Sequence, residues 1–124
     1  MWDILLVTGR PDIMAPFADS LAASADVNLA AAGSAAAALE KARLAPPQLA
    51  IIDRFLPDMS PLGLVMELLQ ISAMINTVVV SAMSDEAFHE ASEGLGVMGK
   101  LPDPPGPGEG SNLLDRLRAM LNPG

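Results

Sequence analysis

The chain has 124 residues, is 51% hydrophobic and 18% charged, and carries a formal net charge of −8. That length supports one core rather than two, and the absence of cysteine excludes disulfides, thiolate metal sites and cysteine nucleophiles. So acidic a surface repels phosphate backbones and anionic lipid heads, so direct binding to nucleic acid or membrane is not expected.

The N-terminal "MWDILLVTGR" has no basic leader, and its apolar run, Ile4 to Val7, is too short for a signal peptide. Elsewhere no stretch approaches the roughly 20 apolar residues of a membrane span, which makes the cytoplasm the expected location. "DILLV" reads as a buried strand closed by the turn-forming "TGRPD". Pro11 suits a first helical turn, and Met14, Phe17, Ala18 and Leu21 then mark one face of an amphipathic helix ending near "AASAD". "VNLAAA" is the second strand. Gly33 and Ser34 supply a turn and an N-cap for "AAAALEKARLA", which Pro46 and Pro47 stop.

"QLAIID" is the third strand and ends on Asp53. Ser60 followed by Pro61 opens a helix through "LGLVMELLQIS". The β-branched run "TVVVS" is the fourth strand, and Ser84, Asp85 and Glu86 start a helix that Gly94 and Gly96 end. "VMGKL" gives a fifth strand. In "PDPPGPGEG", residues 102 to 110, seven of nine residues are proline or glycine, which predicts an irregular linker. In "SNLLDRLRAMLN", Leu113, Leu114, Leu117, Met120 and Leu121 form the apolar stripe of a last helix.

Five alternating strand and helix units with continuous apolar strands predict a single α/β domain over residues 1 to 124. Its parallel sheet is covered by helices on both faces. Such sheets place their working residues beyond the carboxyl ends of the strands. That edge gathers Thr8, Gly9, Arg10, Asp53, Arg54, Ser81 and the loop around Asp103.

An aspartate ending strand three, a proline four residues later in "DRFLP", and a strand-four hydroxyl followed by alanine in "VVVSA" occur together. In these features the chain resembles the receiver domains of bacterial two-component response regulators. The resemblance covers nearly the whole chain and implies a flavodoxin-like sheet of order 2-1-3-4-5. It also implies that Asp53 is the phosphoryl acceptor, that Ser81 is the switch hydroxyl, and that the partner is a histidine kinase or an output domain.

Three family positions depart from the pattern. The acidic pair that holds Mg²⁺ after strand one is Thr8 and Gly9 here, so Mg²⁺ is expected to bind weakly if at all, with Asp12 and Asp58 as the remaining candidate ligands. The lysine before the strand-five proline is Asp103, whose charge opposes an acyl phosphate on Asp53. The aromatic three residues earlier is Lys100.

Taken alone, Asp53 is also readable as a strand-end acid paired with Arg10, Arg54 or Lys100. A partly exposed pair of that kind contributes about 0–1 kcal/mol. Ser81 alone is readable as a hydroxyl that bonds backbone. His89, the single histidine, is expected to face solvent, which with no cysteine leaves no zinc site. The eight methionines are expected mainly in the core.

Three functions follow. The leading one is an atypical, non-enzymatic receiver-like module that acts through protein contacts, with phosphorylation of Asp53 absent or inefficient and no resident cofactor. A second is a working phospho-receiver with an irregular Mg²⁺ site. A third is a flavodoxin-like cofactor binder, which the aromatic content of Trp2, Phe17, Phe55 and Phe88 makes hard to assemble.

Overall fold

The computed structural model describes residues 1–121. Strands β1 (Trp2–Val7), β2 (Val27–Ala32), β3 (Leu49–Ile52), β4 (Asn76–Val80) and β5 (Gly99–Leu101) alternate with helices α1 (Pro11–Ala22), α2 (Ala35–Leu44), α3 (Pro61–Ile71), α4 (Asp85–Ser92) and α5 (Pro107–Leu121). All neighbouring strands pair in parallel, in the order β2-β1-β3-β4-β5. The expected flavodoxin-like architecture is therefore present.

The central strand explains the parallel arrangement. Every residue of Leu49–Ile52 is buried, so both faces need covering, and only crossover helices on both sides do that. Alternate residues sort into two cores. Leu5, Val7, Ala50, Ile52 and Val79 face inward-pointing residues of α2 and α3 with Phe88 of α4. Ile4, Leu6, Leu49, Ile51, Val78 and Val80 face Met14, Phe17 and Leu21 of α1 and Leu113, Leu114 and Leu117 of α5.

The register aligns the carboxyl ends. Val7 lies opposite both Ala32 and Ile52, Ile52 opposite Val79, and Val80 opposite Leu101. One further rung follows, in which Asp53 N–H donates to the Val7 carbonyl at 2.9 Å and Ser81 N–H to the Leu101 carbonyl at 3.0 Å. Thr8, Asp53 and Ser81 are thereby fixed in a row at one edge of the sheet.

Three expectations need correction. Residues 102–110 are not wholly irregular, because α5 begins at Pro107. A proline at the first helical position loses no hydrogen bond, and Glu109 reaches back to accept from the Gly106 N–H at 2.9 Å, half of a capping box. Met120, placed in the stripe of that helix, is exposed; Asn122 and the side chain of Leu121 lie outside the described residues. The fifth strand spans Gly99–Leu101 rather than five residues, because Gly96, at φ +65°, still turns the chain just before Val97.

The methionines also depart from expectation. Met14 is buried, but Met1, Met66, Met74, Met83 and Met120 are exposed. Met66 falls on the outward side of α3, while Met74 and Met83 lie in loops.

Gly110 shows why glycine falls inside α5. A Cβ there would lie 2.1 Å from Ser20 Oγ of α1 and 3.5 Å from the Phe17 carbonyl oxygen. Ser20 Oγ is itself held by donating to that carbonyl at 2.7 Å. Alanine at this position gains up to about 1 kcal/mol in helix propensity but forces Ser20 out of its bond. Urea denaturation of Gly110→Ala, Ser20→Ala and the double variant should therefore show coupling of about 1 kcal/mol, with Gly110→Ala more favourable in the Ser20→Ala background. Additive effects would remove this account of the α1–α5 contact.

Candidate functional site

The carboxylate of Asp53 is 0% exposed. A buried charge of this kind demands partners, and it has four hydrogen bonds. Oδ2 accepts from Thr8 Oγ1 at 2.7 Å and from Arg10 Nε at 2.8 Å. Oδ1 accepts from Arg10 Nη2 at 2.9 Å and from the Arg54 N–H at 2.7 Å. A carboxylate has about four acceptor positions, so Asp53 is saturated.

Each donor is placed by local structure. Thr8 follows β1 by one residue, and its Oγ1 also accepts from the Arg10 N–H at 3.0 Å, bending the chain so that Arg10 turns back over the sheet end. The two bonds from Arg10 to Asp53 give fork-on-fork geometry, the strongest form of ion pair. The Arg10 side chain is 18% exposed.

Asp103 joins from the loop after β5. Arg10 Nη2 donates to Asp103 Oδ1, and Arg54 Nη1 donates to Asp103 Oδ2 at 3.0 Å. The guanidinium carbons of Arg10 and Arg54 each lie 4.7 Å from the ring centroid of Phe55, a residue that is 52% exposed. Two acids and two arginines thus alternate as Asp53–Arg10–Asp103–Arg54 over an aromatic ring, and their formal charges sum to zero.

The electrostatics follow from that packing. Burial acts most strongly on Asp53 and favours its neutral form. The hydrogen bonds from Arg10, Thr8 and the Arg54 N–H, with the positive charge of Arg10, outweigh it and hold the carboxyl below the ordinary range. Arg10 is held more firmly protonated than a free arginine, first by its bonds to Asp53 and then by Asp103, against its own desolvation. The expected value for a partly exposed pair therefore does not apply to Asp53, since one partner is fully enclosed.

The other sequence-selected residues divide. Gly9 donates its N–H to the Phe55 carbonyl at 3.2 Å, and a Cβ on Gly9 would sit 3.1 Å from that oxygen. Asp58 is engaged elsewhere: its carboxylate accepts from the Ala35 and Ala36 N–H groups at 2.9 and 3.0 Å, capping α2. Asp12 is exposed in the first turn of α1. Lys100 points away from Asp53, with Nζ donating to the Met83 carbonyl at 3.0 Å and pairing with Asp85 at 2.7 Å.

Ser81 Oγ accepts from the Met83 N–H at 3.1 Å and makes no bond to Asp53. His89 is exposed. Among the described residues no group of three or more His, Cys, Asp or Glu side chains is placed to hold a metal ion, and no helix is long and apolar enough to cross a membrane. The donor set around Asp53 does not fit Mg²⁺, because its oxygens are already filled and Thr8 and Gly9 bring no carboxylate.

No protein-family model matches the chain, and no curated protein matches it. Solved structures do. A CheY-like response regulator receiver domain from Methanospirillum hungatei superposes with a TM-score of 0.84 at 19% identity, covering 100% of this chain and 99% of that one. The N-terminal domain of an uncharacterized protein from Wolinella succinogenes gives 0.82 at 22% identity, covering 97% and 96%. NtrX from Brucella abortus gives 0.82 at 20% identity, covering 96% of this chain but 27% of that longer one. The fold is that of response regulator receiver domains.

The buried pair generates a pH dependence. A carboxyl whose folded pKa is depressed contributes stability that is fully present above its unfolded value, near 3.9, and is lost as pH falls through the folded value. Asp53→Asn removes the charge while leaving Arg10 bound to Asp103, and should cost about 2 kcal/mol at neutral pH, less than the 3–5 kcal/mol of a fully orphaned partner. Denaturant melts from pH 7 downward should show this gap narrowing below about pH 5. A gap that is absent at pH 7, or constant into acid, would contradict the assigned pair.

Proposed function

We propose that this chain is a receiver-fold signalling module that acts by binding other proteins in one standing conformation, with Asp53 not serving as an efficient phosphoryl acceptor. The observation that carries this reading is the saturation of the Asp53 carboxylate by Thr8, Arg10 and the Arg54 N–H. Attack on a phosphoryl group needs a free oxygen lone pair and a clear approach, and Asp53 at 0% exposure has neither.

Charge supports the same reading. Phosphoryl transfer needs cations aimed at the equatorial oxygens of the moving group. Arg10 is the cation nearest Asp53, and it is shared between two carboxylates. Asp103 adds a negative charge where an acyl phosphate would need a positive one. Ser81 spends its hydroxyl on the Met83 N–H rather than on the site.

A phospho-accepting receiver would require Arg10 to leave both acids and a metal to enter without the carboxylates that usually hold it. A flavin-type cofactor would need aromatic walls, yet Phe17 and Phe88 are buried in the two cores and Phe55 is already flanked by arginines. The activity is therefore one of recognition, not catalysis. The partner is a protein such as a histidine kinase or an output domain; in NtrX the matching fold occupies only part of a longer chain.

Incubation with acetyl phosphate and Mg²⁺, followed by intact mass spectrometry, tests the reading. The wild-type chain should stay at its unmodified mass, as should Asp53→Asn. A substantial wild-type population heavier by one phosphoryl group, absent from Asp53→Asn, would overturn it.

A further inference from the structure

The two edges of the sheet are finished differently. β5 closes one side with only three residues, Gly99–Leu101, and cations flank it: Lys100 lies in the strand, and Arg116 Nη2 donates to the Met98 carbonyl just before it at 2.8 Å. Short, charged edges of this kind resist pairing with further strands. β2 closes the other side with six residues, Val27–Ala32, that hold no charge and no proline. Its register to β1 runs without a bulge from Trp2 opposite Val27 to Val7 opposite Ala32, and Ala30 and Ala31 are exposed.

The backbone of β2 shows what its free side offers. Trp2 N–H donates to the Asp26 carbonyl at 2.6 Å, and Thr8 N–H to the Ala32 carbonyl at 3.0 Å. In a strand with one parallel neighbour, the residues that bond that neighbour alternate with residues that turn away from it. With this register the N–H and C=O groups of Asn28 and Ala30 turn to β1, and those of Leu29 and Ala31 turn outward. Val27 also turns outward, but its N–H is taken by the Ser24 carbonyl at 3.1 Å, which leaves its C=O. Among the described residues no loop or turn backbone bonds to Leu29 or Ala31. The edge therefore offers two donors and three acceptors on alternate residues.

That pattern is complementary to itself. When a second copy of β2 lies antiparallel, with Leu29 opposite Leu29 of the second copy, the two leucines exchange a pair of N–H···O=C bonds. Each Ala31 N–H then reaches the Val27 carbonyl across from it, so every free donor is used. The side chains fit as well. Val27 and Leu29 lie on the face toward α1, where Leu29 meets Leu29 and Val27 meets Ala31, and on the α2 face Asn28 meets Ala30. No like charges oppose each other along the pair. Beside the strand, a cavity of 330 Å³ bounded by Asn28, Ala30 and Leu44 brings one charge of each sign, Asp3 and Lys41. A face balanced in this way can meet its own copy, although a net charge of −8 otherwise makes the chain repel itself.

We propose that the β2 edge is a self-association surface, through which two copies of this chain join antiparallel into one continuous sheet, five strands from each. The contact is small, so the dimer is weak and forms at high local concentration. Asp53 takes no part in it, and failure of this proposal leaves the reading of that residue untouched.

Sedimentation of the full chain from micromolar to millimolar concentration should show a reversible rise toward the dimer mass, and Ala31→Pro should abolish it. Proline there removes an outward N–H that the fold does not use, so the variant should still melt cooperatively. Register is read separately, because the chain has no cysteine of its own. Leu29→Cys meets itself at about 5.5 Å between Cα atoms, within disulfide reach, and under mild oxidation should cross-link at least about tenfold faster than Ala31→Cys, which faces Val27. If Ala31→Pro does not fold, the cysteine pair decides alone. A chain that stays monomeric throughout, an association that folded Ala31→Pro leaves unchanged, or equal cross-linking of the two cysteine variants would overturn the proposal. The first of these includes the case in which β2 receives a strand from another protein instead.

Discussion

A fully enclosed carboxylate at the end of the central strand is the constraint from which the carboxyl edge of this molecule follows. Burying Asp53 without partners costs several kcal/mol, and each of its oxygens is answered by a donor from a different segment: Thr8 from the end of β1, Arg10 from the start of α1, and the Arg54 N–H from its own strand's exit. The first two turns of chain beyond β1 and β3 are thereby shaped by one side chain. Arg10, drawn in by Asp53, leaves donor capacity for a second acid, and Asp103 takes it.

The loops around this cluster are fastened by separate means. Gly9 N–H bonds the Phe55 carbonyl, and Asp58 caps α2 through two N–H groups, so the loop after β3 is anchored at both ends. The capped helix end favours the Asp58 anion, whose pKa is lowered chiefly by the Ala36 and Ala35 N–H groups. Both guanidiniums lie within cation–π reach of the Phe55 ring.

The sheet and its order were legible because apolar runs, capping serines and helix-opening prolines all pointed the same way. Ser34, Ser60 and Ser84 each accept from the N–H three residues on, as their positions implied. The start of α5 was hidden because proline and glycine were counted as breakers, when Pro107 stands at a first turn and Gly110 answers a close helix crossing. At the site, Asp53 was found from its place in the strand, and Arg10 was one of three candidate cations. What no local pattern reveals is that Asp103, read as a charge opposing Asp53, is joined to it through the same guanidinium. That relation spans the sheet and exists only after β3 and β5 have found their register.

Ser81 and Lys100 fasten the loop between β4 and α4 to itself and to β5, through Met83 and Asp85. Among the described residues no hydrogen bond runs from either of them to the Asp53 cluster. Linkage between two places in a protein is a difference in free energy that both can bias, and it needs an element with two arrangements touched by each. The row of strand ends here carries two separate hydrogen-bonded clusters, one around Asp53 and one around Met83 and Asp85. A rearrangement of either cluster therefore breaks no side-chain hydrogen bond of the other among the described residues.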